Sequence, residues 1–287
     1  MTCTLTQLSE LADTNVAAPN PDEYGYVEMD QQQNIAYKPL ASETALSISY
    51  NGLNHAVMMV TPGNIEDFIR GFSLSSGIVQ SMSEIRDIQL RTGQDAHNAE
   101  VELSSRAFWA LKTQRRTLAG TSGCGICGVE ALEQALPQLE VLTPVAAPDP
   151  RQFINLRQRI AEAQVLASQS GALHAALYAN SAGEITLCRE DIGRHNALDK
   201  LIGAMLHQKI DPQTGFVVMT SRCSLELIHK TVRAKVATLV TLSAPTALTV
   251  QWARQHNLNL IHLPKHSAPR LYSPAPGPRS TSSLVPA

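Results

Sequence analysis

Cys124 and Cys127 form a Cys-x-x-Cys pair within the run Ala119-Gly120-Thr121-Ser122-Gly123-Cys124-Gly125-Ile126-Cys127-Gly128. Three chemistries are open to such a pair. A structural zinc site needs two further ligands. His262 and His266 have a usable His-x₃-His spacing, but they lie far along the chain on another element, and there is no second Cys-x-x-Cys. A thioredoxin-like redox pair should follow a strand inside a βαβ unit, whereas this pair follows a glycine-rich loop. The third chemistry is a nucleophilic or sulfur-carrying cysteine on a mobile loop. Four glycines between 120 and 128 leave little to bury the thiols, so two packed core cysteines fit poorly.

Sulfur transfer needs a thiolate, and a free cysteine is only a few per cent ionised at pH 7. Lowering its pKa by about two units takes ~2.7 kcal/mol of differential stabilisation. A helix N-terminus supplies roughly 0.3–1 kcal/mol, so a short helix expected over 129–136 is not enough alone. Arg115 and Arg116 would add to it if the loop folds back over them; as a bare pair they are equally a solvated face. Glycines permit the movement that two successive partners require.

A second constellation lies downstream. Strands are expected at 174–180, 185–190, 216–220, 237–242 and 258–262, with helices at 194–208, 224–235 and 245–256. Four of the strands run into polar or small-residue turns: Arg189–Asn196, Ser221–Ser224, Ser243–Thr246 and Leu263–Ala268. In a parallel sheet such turns gather at one edge, where open α/β sheets bind ligands. The first three also open helices, whose free N–H groups attract phosphate. Arg194 and Arg222 can add charge-assisted bonds, with Ser224 and Thr246 at the helix starts and Gly193 letting the chain turn closely toward a phosphate. No Gly-x-Gly-x-x-Gly or Walker pattern is present, so a standard dinucleotide or NTP site is excluded. His174 reads as a core histidine unless it lines this edge. Cys188 reads as strand packing, Cys3 as an exposed arm residue, and Met58-Met59 as core.

The elements that must position these groups follow from periodicity. Residues 1–40, with Pro19, Pro21 and a Gln31–Gln33 run, are expected to form a disordered arm. An N-terminal α+β unit occupies 41–137. In it, strands Ala45–Tyr50 and His55–Val60 flank the hairpin signal Asn51-Gly52, and a helix starts at Asn64 as N-cap, carries Ile65, Phe68, Ile69 and Phe72 on one face and ends at Gly77. Strands at 85–91 and 99–104 and a short helix around Phe108-Trp109 complete the unit. Pro137, Pro144, Pro148 and Pro150 punctuate a linker. Asp149 then caps a long helix whose buried stripe is Phe153, Leu156, Ile160 and Ala163. The α/β unit of 149–266 is read as a mostly parallel, helix-covered sheet. The tail 267–287 has five prolines in 21 residues and is expected to be disordered.

Composition excludes several classes. The chain has 287 residues, 44% of them hydrophobic, and a net charge of −2. Without a basic excess, a nucleic-acid partner is not expected. No apolar run approaches the ~20 residues that span a bilayer, so no membrane partner is expected either. The first basic residue is Lys38, which leaves no charged region of a secretory signal. Five cysteines are too few, and an odd number, for a disulfide framework. The chain reads as soluble and cytoplasmic.

Three segments resemble the FdhD family of formate dehydrogenase accessory proteins: Gly123–Glu130, the run Arg189-Glu190-Asp191-Ile192-Gly193-Arg194-His195-Asn196-Ala197-Leu198-Asp199-Lys200, and Ser243–Thr246. Tyr50-Asn51-Gly52 and Thr61-Pro62 fit the same family, and the resemblance runs from about residue 40 to 265. It implies a sulfur carrier between a cysteine desulfurase and the molybdenum guanine-dinucleotide cofactor, molybdenum bis(molybdopterin guanine dinucleotide), of formate dehydrogenase. It also implies a persulfide at Cys124, with Cys127 able to shuttle or release sulfur, a homodimer, and a cytidine-deaminase-like fold in the second unit. The family's nucleotide-contacting segment aligns with Leu263, Pro264, Lys265, His266, Ser267 and Ala268, matching it in side chain only at Lys265. Its Ser-Glu-Gly-Ile becomes Ser75-Ser76-Gly77-Ile78 here. The deaminase zinc signature is absent, so neither deamination nor a permanent metal is expected. The alternative function is a non-catalytic chaperone that only holds the cofactor.

Overall fold

The computed structural model describes residues 23–29, 34–93, 96–119 (114–119 as backbone) and 137–275. Two strands, β1 (Glu23–Val27) and β2 (Ile35–Pro39), pair antiparallel. The expectation of disorder across 1–40 is therefore corrected over this hairpin. Tyr24, Tyr26 and Tyr37 supply the strand propensity, which the prolines and glutamines nearby mask.

The next sheet has the order β4-β3-β6-β5, from β3 (Thr44–Tyr50), β4 (Leu53–Val60), β5 (Ile85–Thr92) and β6 (Ala96–Leu103). Asn51 and Gly52 both take positive φ, 47° and 75°, as a two-residue turn that keeps the strand twist demands. Helix α1 (Ile65–Ser75) covers one face with Phe68 and Ile69, both fully buried. Asn64 precedes it in a left-handed conformation and makes no side-chain cap bond, so it turns the chain rather than capping it. Gly77, at φ 75°, lets the chain leave: Gly77 N–H donates to Leu74 O and Ile78 N–H to Ser73 O. Helix α2 runs over Ser105–Ala119, longer than the short helix expected around Phe108-Trp109.

Asp149 caps as expected, accepting from Arg151 N at 2.8 Å, but the helix is not continuous. A 3-10 turn, Pro150–Phe153, is followed by Asn155 at φ 52°, and the chain restarts as α3 (Leu156–Ala163) and then α4 (Val165–Ser170). Phe153, Leu156 and Ile160 are buried as their spacing requires.

The second sheet has six strands: β7 (His174–Ala179), β8 (Ile185–Asp191), β9 (Phe216–Met219), β10 (Thr238–Thr241), β11 (Asn259–His262) and β12 (Arg270–Ser273). Their order is β12-β11-β10-β9-β7-β8. Only β9–β10 and β10–β11 are parallel; β7 runs against both β8 and β9, and β12 against β11. The mostly parallel sheet is thus corrected to a mixed one. The physical reason is the turn between β7 and β8, too short for the dozen residues a parallel crossover needs. Disorder from 267 onward is corrected too: Arg270–Ser273 adds the edge strand β12.

Helices α5 (Arg194–His207), α6 (Leu225–Arg233) and α7 (Ala247–Gln255) cover one face, and α3 covers the other. The two units meet where α1 crosses α5. A Cβ on Gly71 would stand 1.8 Å from the Asp199 carbonyl oxygen, and one on Gly203 1.8 Å from that of Asp67. Ion pairs seal the contact: a buried one, Lys230 Nζ to Asp199 Oδ2 at 2.8 Å, with Ser75 Oγ donating to Asp199 Oδ1 at 2.6 Å, and a half-buried one, Arg189 Nη2 to Asp67 Oδ2 at 2.8 Å. Among the described residues no helix is long and apolar enough to cross a membrane.

Candidate functional site

Although the sheet is mixed, β8, β9, β10 and β11 all run the same way, because β7 is antiparallel to both neighbours. Their C-terminal turns therefore share one edge, and the three helices that follow β8, β9 and β10 start there. The antiparallel strands β7 and β12 begin at that edge, which brings in His174 and Arg270.

Arg194 opens α5 half-buried, with a buried Nε that no described group accepts from. Neither it nor exposed Arg222 has an ion-pair partner among the described residues. Glu190, the nearest carboxylate in sequence, is committed elsewhere and accepts from Leu166 N and Ala167 N at 2.8 and 2.7 Å. Both arginines bear on His174: burial first, then Arg194 and Arg222, hold its pKa below the usual imidazole value. Burial, then Arg194 and Lys230, push His195 down to about 4. Its Nε2 lies 3.3 Å from Ser224 Oγ and 3.2 Å from Glu226 Oε2. Both neighbours sit on the same ring nitrogen, unlike a hydrolase triad, in which base and orienting acid use opposite nitrogens. Two uncompensated guanidiniums, neutral imidazoles and free helix N–H groups suit a phosphate-bearing ligand.

Ser224 and Thr246 are the N-caps of α6 and α7; Thr246 Oγ1 already accepts from Thr249 N at 3.3 Å. In the segment after β11, Leu263 is a core residue, Pro264 is half-buried, and Lys265, His266, Ser267 and Ala268 are exposed. The Arg157 guanidinium holds its start, donating to Leu242 O, Leu263 O and Pro264 O. His262 lies buried at the end of β11, its pKa lowered by burial, Arg270 and Arg157. Gly193 has ordinary extended φ of −95°; glycine is needed because a Cβ would stand 2.7 Å from Asn196 Nδ2, not for a left-handed turn toward a phosphate.

The FdhD/NarQ family model matches residues 41–277. This chain belongs to the FdhD/NarQ family. It is 40% identical over 234 residues to a protein named sulfur carrier protein FdhD from Bordetella bronchiseptica, covering 82% of this chain and 85% of the relative. The protein of that name from Cupriavidus necator is 41% identical over 241 residues, covering 82% and 81%. A crystal structure described as a formate dehydrogenase accessory protein, from Desulfotalea psychrophila, superimposes with a TM-score of 0.67 at 20% identity, covering 87% of this chain and 95% of that one. The likeness at that identity supports the fold alone.

The Cys124–Cys127 pair, its glycine loop and the helix expected over 129–136 lie outside the described residues, as do the side chains of Arg115 and Arg116 and residue Cys3. The two described cysteines are poor nucleophiles. Burial, then Glu190, pushes the Cys188 thiol up to about 12, and burial pushes Cys223 up to about 11. Sequence reasoning missed Glu226 beside His195, Arg157 beneath Leu263, and a buried node around Asp191. A Glu two residues after the Ser224 cap was the available signal for the first.

Proposed function

We propose that this FdhD/NarQ member is a sulfur carrier that delivers persulfide sulfur to molybdenum bis(molybdopterin guanine dinucleotide) before that cargo enters formate dehydrogenase. The observation that supports it most is 40% identity, over four-fifths of both chains, to proteins named sulfur carriers. In this reading the Cys124 thiolate attacks the outer sulfur of a cysteine desulfurase persulfide. The new S–S bond forms as the old one breaks, and the donor leaves as its own thiolate. The Cys127 thiolate then either takes the outer sulfur, leaving Cys124 as a thiolate, or attacks the inner sulfur, forming the Cys124–Cys127 disulfide and expelling hydrosulfide. Cys188 and Cys223 take no part, since their thiols stay protonated at neutral pH.

The strand-end edge holds the cargo's phosphates, with Arg194 and Arg222 as charge partners and Ser224, Thr246 and the exposed Lys265–Ala268 stretch around them. Leu263 and Pro264 only set the course of that stretch, since the Leu263 N–H is donated to Thr241 O and proline has no N–H to offer. The carrier acts as a homodimer in the cytoplasm, and the cytidine-deaminase-like fold implied for the second unit serves as a nucleotide cradle rather than a deaminase.

A pure chaperone would need the same edge but not Cys124. Formate dehydrogenase activity in cells whose own carrier is deleted separates the two. Cys124→Ala should give no active enzyme, and full activity would contradict the sulfur-carrier reading.

A further inference from the structure

Asp191 is wholly buried, and each of its carboxylate oxygens accepts from two donors. Oδ1 takes Gly193 N and Asn196 Nδ2, both at 2.9 Å. Oδ2 takes Thr61 N at 2.9 Å and Lys200 Nζ at 2.8 Å. Lys200, 1% exposed, also donates to Thr61 O at 2.7 Å. Asn196 Nδ2 donates to Met59 O, and Thr61 Oγ1 accepts from Ile192 N at 3.0 Å. Two segments are tied by this node. One, Met59–Thr61, is the end of β4 and the first residue beyond it in the first unit; the other, Asp191–Arg194, leads from β8 into α5 at the strand-end edge.

A carboxylate with four donors and a buried counter-ion is a rigid arrangement. All four acceptor contacts of the Asp191 carboxylate are spent inside the node. What it fixes is the direction in which α5 starts, and with it the Arg194 side chain and the free first-turn N–H groups. Only Thr61 comes from the first unit with its N–H, carbonyl and hydroxyl all engaged.

We propose that Thr61 is a positioning residue: it holds the β8–α5 turn in the ligand-competent conformation, so that phosphate binding at the second unit's edge depends on a side chain of the first. This rests on the assignment of that edge to a nucleotide's phosphates. When the competent conformation is only a fraction of the population, apparent affinity falls by that fraction. Apparent affinity therefore falls only as far as the competent turn loses its majority, and a tenfold loss needs a turn that is open about nine-tenths of the time.

Thr61→Val keeps the shape and the backbone bonds but deprives Ile192 N–H of its acceptor; Thr61→Ser restores the hydroxyl. The test reads amide exchange at Gly193 and Ala197, whose N–H groups donate to Asp191 Oδ1 and Gly193 O, alongside calorimetric titration with GDP. In Thr61→Val both amides should lose most of their protection and the GDP Kd rise about tenfold, as the competent turn falls to about a tenth of the population. Strand amides of Val217 and Leu239 should be unchanged, and Thr61→Ser should recover both effects. Wild-type affinity in Thr61→Val would overturn the inference alone, whatever the exchange rates, as would weakened affinity with wild-type exchange. No GDP binding by the wild type would overturn the nucleotide reading and the inference with it.

Discussion

Gly71 and Asp199 touch backbone to backbone: a Cβ on the glycine would lie 1.8 Å from the Asp199 carbonyl oxygen, and Gly203 meets Asp67 in the same way. Alanine in place of a mid-helix glycine normally gains roughly 0.5–1 kcal/mol. Here the helices would have to separate, and forcing volume into a packed contact costs about 1–3 kcal/mol or more. The steric loss wins. Gly71→Ala and Gly203→Ala should each lower Tm by several degrees, at about 2–4 °C per kcal/mol for a chain of this size. A raised Tm by calorimetry would contradict the close crossing of α1 and α5.

Acid should weaken the fold through two histidines, one half-buried and one buried. His195 and His229 are both pushed down to about 4, chiefly by burial, with Arg194 and Arg233 next in each case. Unfolded, each titrates near 6.5, so between those values the unfolded chain binds more protons. Their contribution is complete above pH 6.5 and is lost as pH falls toward 4. His195→Gln and His229→Phe should each flatten the fall in urea midpoint across that window. An unchanged slope in both would remove these histidines as the cause.

Two truncations separate the tail from the edge strand. Ending the chain after Ala275 should leave Tm unchanged. Ending it after Ser267 removes β12, uncovers the edge of β11 and deprives Arg254 Nε of its acceptor, Tyr272 O, at 2.9 Å. That shorter chain should melt several degrees lower; equal melting of the two would show that β12 contributes nothing.

Arg194→Ala should weaken GDP binding about 10- to 150-fold, the range for losing one charge-assisted partner worth ~1.5–3 kcal/mol. Thermal stability should change little, since no described carboxylate pairs with this guanidinium. Undiminished affinity by calorimetry would place the nucleotide elsewhere.

Many elements of the two units are legible in the chain because their signals are local: apolar runs of strand length, caps such as Thr246, and turns that demand positive φ, as at Asn51-Gly52. Strand direction is not local, yet the clue was present. Only Asn180–Glu184 separates β7 from β8, a hairpin length with Gly183 at φ 83°, and a parallel reading ignores it. Strand β12 is hidden because flanking prolines dominate the composition of the tail. The buried node of Asp191, Lys200 and Thr61 escapes notice for another reason: charged side chains are exposed by default, and only the tertiary contact shows which pairs go inside. At the site, Arg194, Ser224 and Thr246 could be placed by topology alone, whereas Glu226 and Arg157 required the fold.

The central claim is that Cys124 carries sulfur, and intact mass spectrometry of the protein after incubation with a cysteine desulfurase and cysteine tests it most directly. Wild-type protein should gain the mass of one sulfur, removable by a thiol reductant and located on Cys124 by peptide mapping. Cys127→Ala should still load at Cys124, while Cys124→Ala should load none. Wild-type protein that gains no sulfur, or a Cys124→Ala variant that loads as fully as the wild type, would contradict the account.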